Sequence, residues 1–222
     1  MTNIELKDII ELAKNEDRIS ISFIQRNFSI GFVKASHYFN DLVNAGFIEK
    51  DGKIIKKSRK KGLKIIFLDV DGVLNCHSTK DLCGPYRGIE DSKVSLLKKL
   101  VDATHAKIVL VSTWKEYWYK SVHLKDKQDD LAIYLDIKLS QQGLKISDKT
   151  DDYILNRGEG ILDYIDRLHN RGIEVDKYII FDDEMFDYKE TKLTKHLIQT
   201  SFDNNGLEQK HILRAIKMLN GD

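Results

Sequence analysis

Lys64-Ile65-Ile66-Phe67-Leu68-Asp69-Val70-Asp71-Gly72-Val73-Leu74-Asn75 passes abruptly from an apolar run to two aspartates and a glycine. The run Ile65 to Leu68 is short and lacks a helical period, which predicts a buried strand of a parallel sheet. Residues i and i+2 of an extended chain point the same way. Asp69 and Asp71 are therefore expected to face one point just past the carboxyl end of the strand, where open α/β sheets place their ligands. Two carboxylates that close repel each other unless a cation lies between them, and hard oxygen ligands suit Mg²⁺. Gly72 allows a sharp turn and a close approach to a ligand.

Asp69-Val70-Asp71-Gly72-Val73 resembles motif I of the haloacid dehalogenase-like (HAD) superfamily, Asp-x-Asp-x-(Thr/Val). That resemblance implies that Asp69 attacks phosphorus and that Asp71 is the general acid and base. It also implies a Rossmann-like α/β domain, a parallel sheet with helices on both faces.

Composition sets the frame. The 222 residues are 41% hydrophobic and 32% charged, as in ordinary globular proteins. No apolar run approaches the roughly 20 residues of a membrane span. With Cys76 and Cys83 as the only cysteines, a disulfide framework is not expected and a reducing cytoplasm fits. The net charge of +1 hides an asymmetry. Residues 1–61 hold 12 basic and 8 acidic side chains, leaving 24 and 27 to residues 62–222, so the parts carry +4 and −3. A basic front on a mildly acidic body suggests two units, the first suited to polyanions. Residues 58–63 are expected to be a basic linker, overlapping the run Lys56-Lys57-Ser58-Arg59-Lys60-Lys61.

In residues 1–57 the pattern predicts a helix capped by Thr2 and running to about Asn15. A second is expected from Phe23 to Phe28, capped by Ser22, and a third from Phe32 to Ala45. A hairpin is expected around Asp51-Gly52. Three helices and a hairpin make a winged helix. The wording from Ile19 to Gly31, then Lys34-Ala35 and Leu42 to Ile48, resembles the gamma domain of FtsK-type DNA translocases. That resemblance implies duplex DNA binding, with Arg26, Lys34, Ser36, His37, Asn40 and Lys53 as the contacts. The other reading of this unit is a protein-docking module.

In residues 64–222, Cys76 to Glu90 is expected to be a short polar stretch. A helix is expected from Asp91, then a strand over Lys107 to Val111. A hydroxyl residue at the end of that strand resembles HAD motif II, which implies that Ser112, or Thr113 as second choice, bonds the phosphoryl oxygens. Most of Trp114, Tyr117, Trp118 and Tyr119 should be core, with one or two free to stack on a base. Lys145 to Asp152 reads as a polar connection. The Arg157-Gly158 pair opening a helix, with Ser112-Thr113-Trp114-Lys115, resembles a capless HAD group of RNA-repair proteins. It implies Arg157 as motif III, with Lys145 and Lys149 as alternatives. Ile179-Ile180-Phe181 followed by Asp182-Asp183 and Asp187 resembles motif IV.

These resemblances imply a Mg²⁺ site of Asp69, Asp71, the Val70 carbonyl and Asp183, supported by Asp182 and Asp187. Gly72, Thr113 and Lys115 are the expected substrate contacts. The expected function is phosphohydrolysis, preferably of phosphorylated nucleic-acid ends. The alternatives are a phosphatase of nucleotides or other small molecules, and a DNA-binding regulator with a non-catalytic body.

Overall fold

The structure, a computed structural model, describes residues 5–13, 16–55, 62–151 and 156–221. The chain divides into two compact units, Met1–Lys61 and Gly62–Asp222. Thr2, Asn15 and the basic run 56–61 lie outside the described residues.

The first unit holds α1 (Leu6–Leu12), α2 (Ile21–Phe28) and α3 (Phe32–Asn44). Ser20, not Ser22, caps α2: its hydroxyl accepts the Phe23 N–H at 3.0 Å, two residues earlier than expected. Ser29 ends α2 in the left-handed region, φ 51°. Ile48 then pairs antiparallel with Ile54 across the Asp51-Gly52 turn, and Arg18 pairs with Lys53. Ile9, Ala13, Ile19, Ile24, Ala35, Leu42 and Ile48 form the core of this unit.

The second unit is built on five parallel strands: β1 (Leu63–Leu68), β4 (Lys107–Leu110), β5 (Ile146–Lys149), β6 (Val175–Asp182) and β7 (Leu197–Gln199). Their order is β5-β4-β1-β6-β7. Between β1 and α4 (Asp91–Thr104) stands a two-stranded hairpin, β2 (Leu82–Cys83) and β3 (Tyr86–Arg87). Alternation along β1 separates the two faces. Ile66 and Leu68 join the cluster that holds the buried residues of α4, α5 (Asp130–Ser140) and α7 (Gln209–Asn220). Ile65 and Phe67 face α6 (Arg157–Asn170). The sheet thus lies between two helical layers, the α/β arrangement expected. Among the described residues no helix is long and apolar enough to cross a membrane.

Two further expectations fail. Leu63 belongs to β1 rather than to a linker, because its N–H bonds the Glu174 carbonyl at 2.8 Å. Residues 146–149 form a strand, not a polar connection. Its sequence Ile146-Ser147-Asp148-Lys149 hides this because an edge strand pairs on one side and buries little.

Candidate active site

The sheet ladder continues past the strand ends and gathers the polar residues there. The Asp69 N–H bonds the Phe181 carbonyl at 3.0 Å, the Val111 N–H the Leu68 carbonyl, and the Thr200 N–H the Asp182 carbonyl. Asp69 follows Ile65 and Phe67, and Asp182 follows Ile180, so both carboxylates continue the α6 face of the sheet. The first residue of α6, Arg157, meets them there. Its Nη1 lies 3.0 Å from Asp69 Oδ2 and 2.6 Å from Asp182 Oδ2. Lys145 is exposed, and the Lys149 ammonium bonds the carbonyls of Lys115 and Glu116. The basic group at the carboxylates is Arg157.

Asp69, Asp182 and Asp183 each place a carboxylate oxygen within 4.8 Å of the other two. Burial pushes the Asp69 carboxyl up from its ordinary value, while the Arg157 guanidinium and the Ser112 hydroxyl pull it back. Burial, then the Asp69 charge, pushes Asp182 up to about 7. The same causes push Asp183 up to about 6. Burial opposes the Arg157 charge, but Asp69 and Asp182 more than offset that and hold it above its ordinary range. When all three carboxyls are ionised, one guanidinium leaves two negative charges uncompensated. Asp69 Oδ1, buried, has no hydrogen-bond partner. An unpartnered buried oxygen beside surplus negative charge fits a divalent cation, and the oxygen donors suit a hard one.

Two glycines make this closeness possible. Gly72 turns with φ 69°, and a Cβ there would fall 2.2 Å from the Asp183 carboxyl carbon. The missing side chain makes room for Asp183. At Gly158 a Cβ would fall 2.4 Å from Thr191 Oγ1 and 3.0 Å from Asp187 Oδ2. That space lets α6 seat on Asp187, whose oxygens accept the N–H groups of Gly158 at 2.7 Å and Glu159 at 3.0 Å.

The remaining expected residues divide. Asp187 is committed to the N-terminus of α6 and stands apart from the three-carboxylate cluster, contrary to its expected place among the metal residues. The Val70 carbonyl accepts the N–H groups of Val73 and Leu74, so it closes the turn instead of facing a cation. Asp71 lies outside the cluster, its oxygens held at 2.8 Å by Asn75 Nδ2 and at 2.8 Å by the Trp114 indole N–H. Asn75 in turn accepts the Gly72 N–H. Both partners escaped the sequence reading, although Asn75 ends the motif I stretch and Trp114 follows motif II. Trp114 is buried as a holder of Asp71, not free to stack on a base. Ser112 is fully buried, while Thr113 is exposed and lines the cleft. Lys115 is buried with its ammonium on the Thr150 hydroxyl and the Asp151 carbonyl, which replaces the substrate contact expected of it.

Asp69, Asp71, Thr113, Arg157, Asp183 and Phe186 line one cleft of about 620 Å³. In the first unit Arg26, Lys34, His37, Asn40 and Lys53 are exposed and Ser36 is half-buried. At 100° per residue, Ser36, His37 and Asn40 share one face of α3 with Val33, and Lys34 lies at its flank.

No curated protein and no solved structure matches this chain. The sequence pattern described as the HAD domain in Swiss Army Knife RNA repair proteins matches residues 65–212, which takes in β1 from Ile65 and the other four strands whole. Since that match covers more than half of the chain and spans the carboxylate cluster, the chain belongs to this HAD family.

Proposed function

We propose that the protein is a Mg²⁺-dependent phosphomonoester hydrolase acting on phosphorylated nucleic-acid ends. The observation that carries this reading is Asp69 held between Arg157 and the carboxylates of Asp182 and Asp183, with Asp71 fixed beside it. Asp69 attacks phosphorus, forming a phosphoaspartate as the ester P–O bond breaks. Asp71 gives the leaving oxygen its proton. Asp71 then takes a proton from water, and the resulting hydroxide attacks the phosphoaspartate. Phosphate leaves and Asp69 is restored. Arg157 and Thr113 bind the equatorial oxygens. Asp69, Asp182 and Asp183 would hold the Mg²⁺, which would supply positive charge to offset the negative charge of the phosphoryl group.

The nucleic-acid end is favoured by the family's RNA-repair description, the basic front unit and the open cleft. Among the described residues, the segments between the motifs hold, beyond the strands of the sheet and its flanking helices, only the β2–β3 hairpin and short turns, with no cap domain. A phosphatase screen with and without Mg²⁺, including 3′- and 5′-phosphorylated DNA and RNA, tests the reading. Failure on every phosphoester would end it. One observation favours a small phosphomonoester instead: Asp183, Glu184 and Asp203 at the cleft repel a second phosphate. A higher kcat/KM on mononucleotides than on oligonucleotide ends would decide for that alternative.

Asp183→Asn is expected to abolish the rise in Tm caused by Mg²⁺. Asp187→Ala is expected to keep that rise but lower stability by about 1 kcal/mol, since it removes an acceptor for two N–H groups at a helix start. The opposite ranking in thermal melts would move the cation to Asp187.

For the front unit, the expected activity is duplex DNA binding through a winged helix. Binding by residues 1–61 should weaken steeply with salt, because basic side chains at phosphates release counterions. Replacing Lys34 should lower affinity, and replacing Lys56, Lys57, Lys60 and Lys61 should flatten the salt slope. Absence of binding at low salt in fluorescence anisotropy would instead mark a protein-docking module.

A further inference from the structure

We infer that Phe186 is a positioning residue that sets the plane of the Arg157 guanidinium for phosphoryl binding, an assignment that rests on the phosphohydrolase reading. The Phe186 ring centroid lies 4.0 Å from Arg157 Cζ, a cation–π contact. Both residues line the cleft. A stack of this kind restrains the rotation of a flat guanidinium without occupying its donors.

The donors matter because they are unevenly used. Nη1 carries both carboxylate contacts, to Asp69 and Asp182. Nε is buried and has no partner. A buried donor left unpaired is costly, so the protein alone does not satisfy this guanidinium. Phosphoryl oxygens accept from a guanidinium edge, and the geometry of that bond depends on the plane of the fork.

The backbone at Phe186 supports a functional role. Its φ is 38°, in the left-handed region that a bulky aromatic residue adopts only under constraint. The constraint is visible on both sides. Asp182 is tied to Arg157, and Asp187 is tied to the N–H groups of Gly158 and Glu159. The segment between them is drawn over the first turn of α6, which leaves Phe186 on the guanidinium. Tyr188 meets the Phe186 ring edge-on at 6.3 Å and donates its hydroxyl to Asp182 at 2.7 Å, so the same segment braces the ring and a carboxylate. Asparagine or glycine would suit that backbone better, but neither could stack.

The test uses the full chain, with kcat/KM on p-nitrophenyl phosphate and calorimetric titration with inorganic phosphate. Phe186→Leu and Phe186→Asn are each expected to weaken phosphate binding and kcat/KM by about tenfold, the range of a partly desolvated cation–π contact. Phe186→Tyr, which keeps the ring, should restore most of both. Phe186→Asn should match or exceed the wild-type Tm, because asparagine accepts the left-handed region. In an Arg157→Lys background, where no flat group remains to stack, Phe186→Leu should cost less than about twofold. Wild-type phosphate affinity in both Phe186→Leu and Phe186→Asn would overturn the assignment, as would an undiminished loss in the Arg157→Lys background. A wild-type chain that neither binds phosphate nor hydrolyses the ester would overturn the phosphohydrolase reading with it.

Discussion

Asp69→Asn is expected to reduce phosphoester turnover by about four orders of magnitude or more, the scale seen when a covalent nucleophile is removed. The amide keeps the size of the carboxylate but cannot attack phosphorus. The fold should survive the change, for a reason visible in the charges. Asp69 is buried in a cluster with Asp182 and Asp183, and burial already pushes its carboxyl up from its ordinary value. Replacing it leaves two carboxylates around Arg157 instead of three, so repulsion falls. Arg157 keeps Asp182 at 2.6 Å. In chelator-treated buffer the variant should therefore melt no earlier than wild type, and Mg²⁺ should raise its Tm less. Near-wild-type turnover in a steady-state assay would remove Asp69 from the nucleophile's role.

Arg157→Met should produce the largest loss of stability. The guanidinium is the counter-charge to two buried carboxylates, and it also contacts the Phe186 ring. Removing one member of a buried ion pair costs about 3–5 kcal/mol, because the partners remain uncompensated in a poorly solvated site. Proton uptake by Asp182, already pushed up to about 7, limits that loss and places it near the lower figure. Added Mg²⁺ should restore a large part, since a cation that binds only the folded cluster stabilises it by mass action. Urea unfolding followed by circular dichroism, with chelator and with Mg²⁺, measures both effects. Wild-type stability in chelator would mean that Arg157 is not the counter-ion of the cluster. Turnover should fall as well, because the phosphoryl oxygens lose a cationic donor.

The signals legible in the sequence are the local ones. Ile65 to Leu68 and Ile179 to Phe181 are strands with both faces covered, so their apolar runs announced them. The two aspartates after the first run and the pair after the second mark the sheet edge. Arg157 could be singled out only through the resemblance to a family motif, and the structure brings it to that edge. β5 is the counterexample. It pairs with β4 alone, and its Ser147-Asp148-Lys149 segment is half-buried, so no period or apolar run betrays it.

The division within the site follows the same physics. From the sequence alone came the α/β class, the motif I turn, and Asp69, Asp182 and Asp183 at the ends of apolar strands, because these depend on neighbours within a few residues. Only the tertiary structure decided which partners each group keeps. Asp71 rests on Trp114, 43 residues away, and Asp187 on the N–H groups of Gly158 and Glu159, 29 and 28 residues away. The Val70 carbonyl closed a turn onto Val73 and Leu74, and Lys115 bonded the buried Thr150. Hydrogen bonds form with whatever donor the packed layers bring within about 3 Å. That distance is set by sheet order and helix seating, which no short stretch of sequence contains.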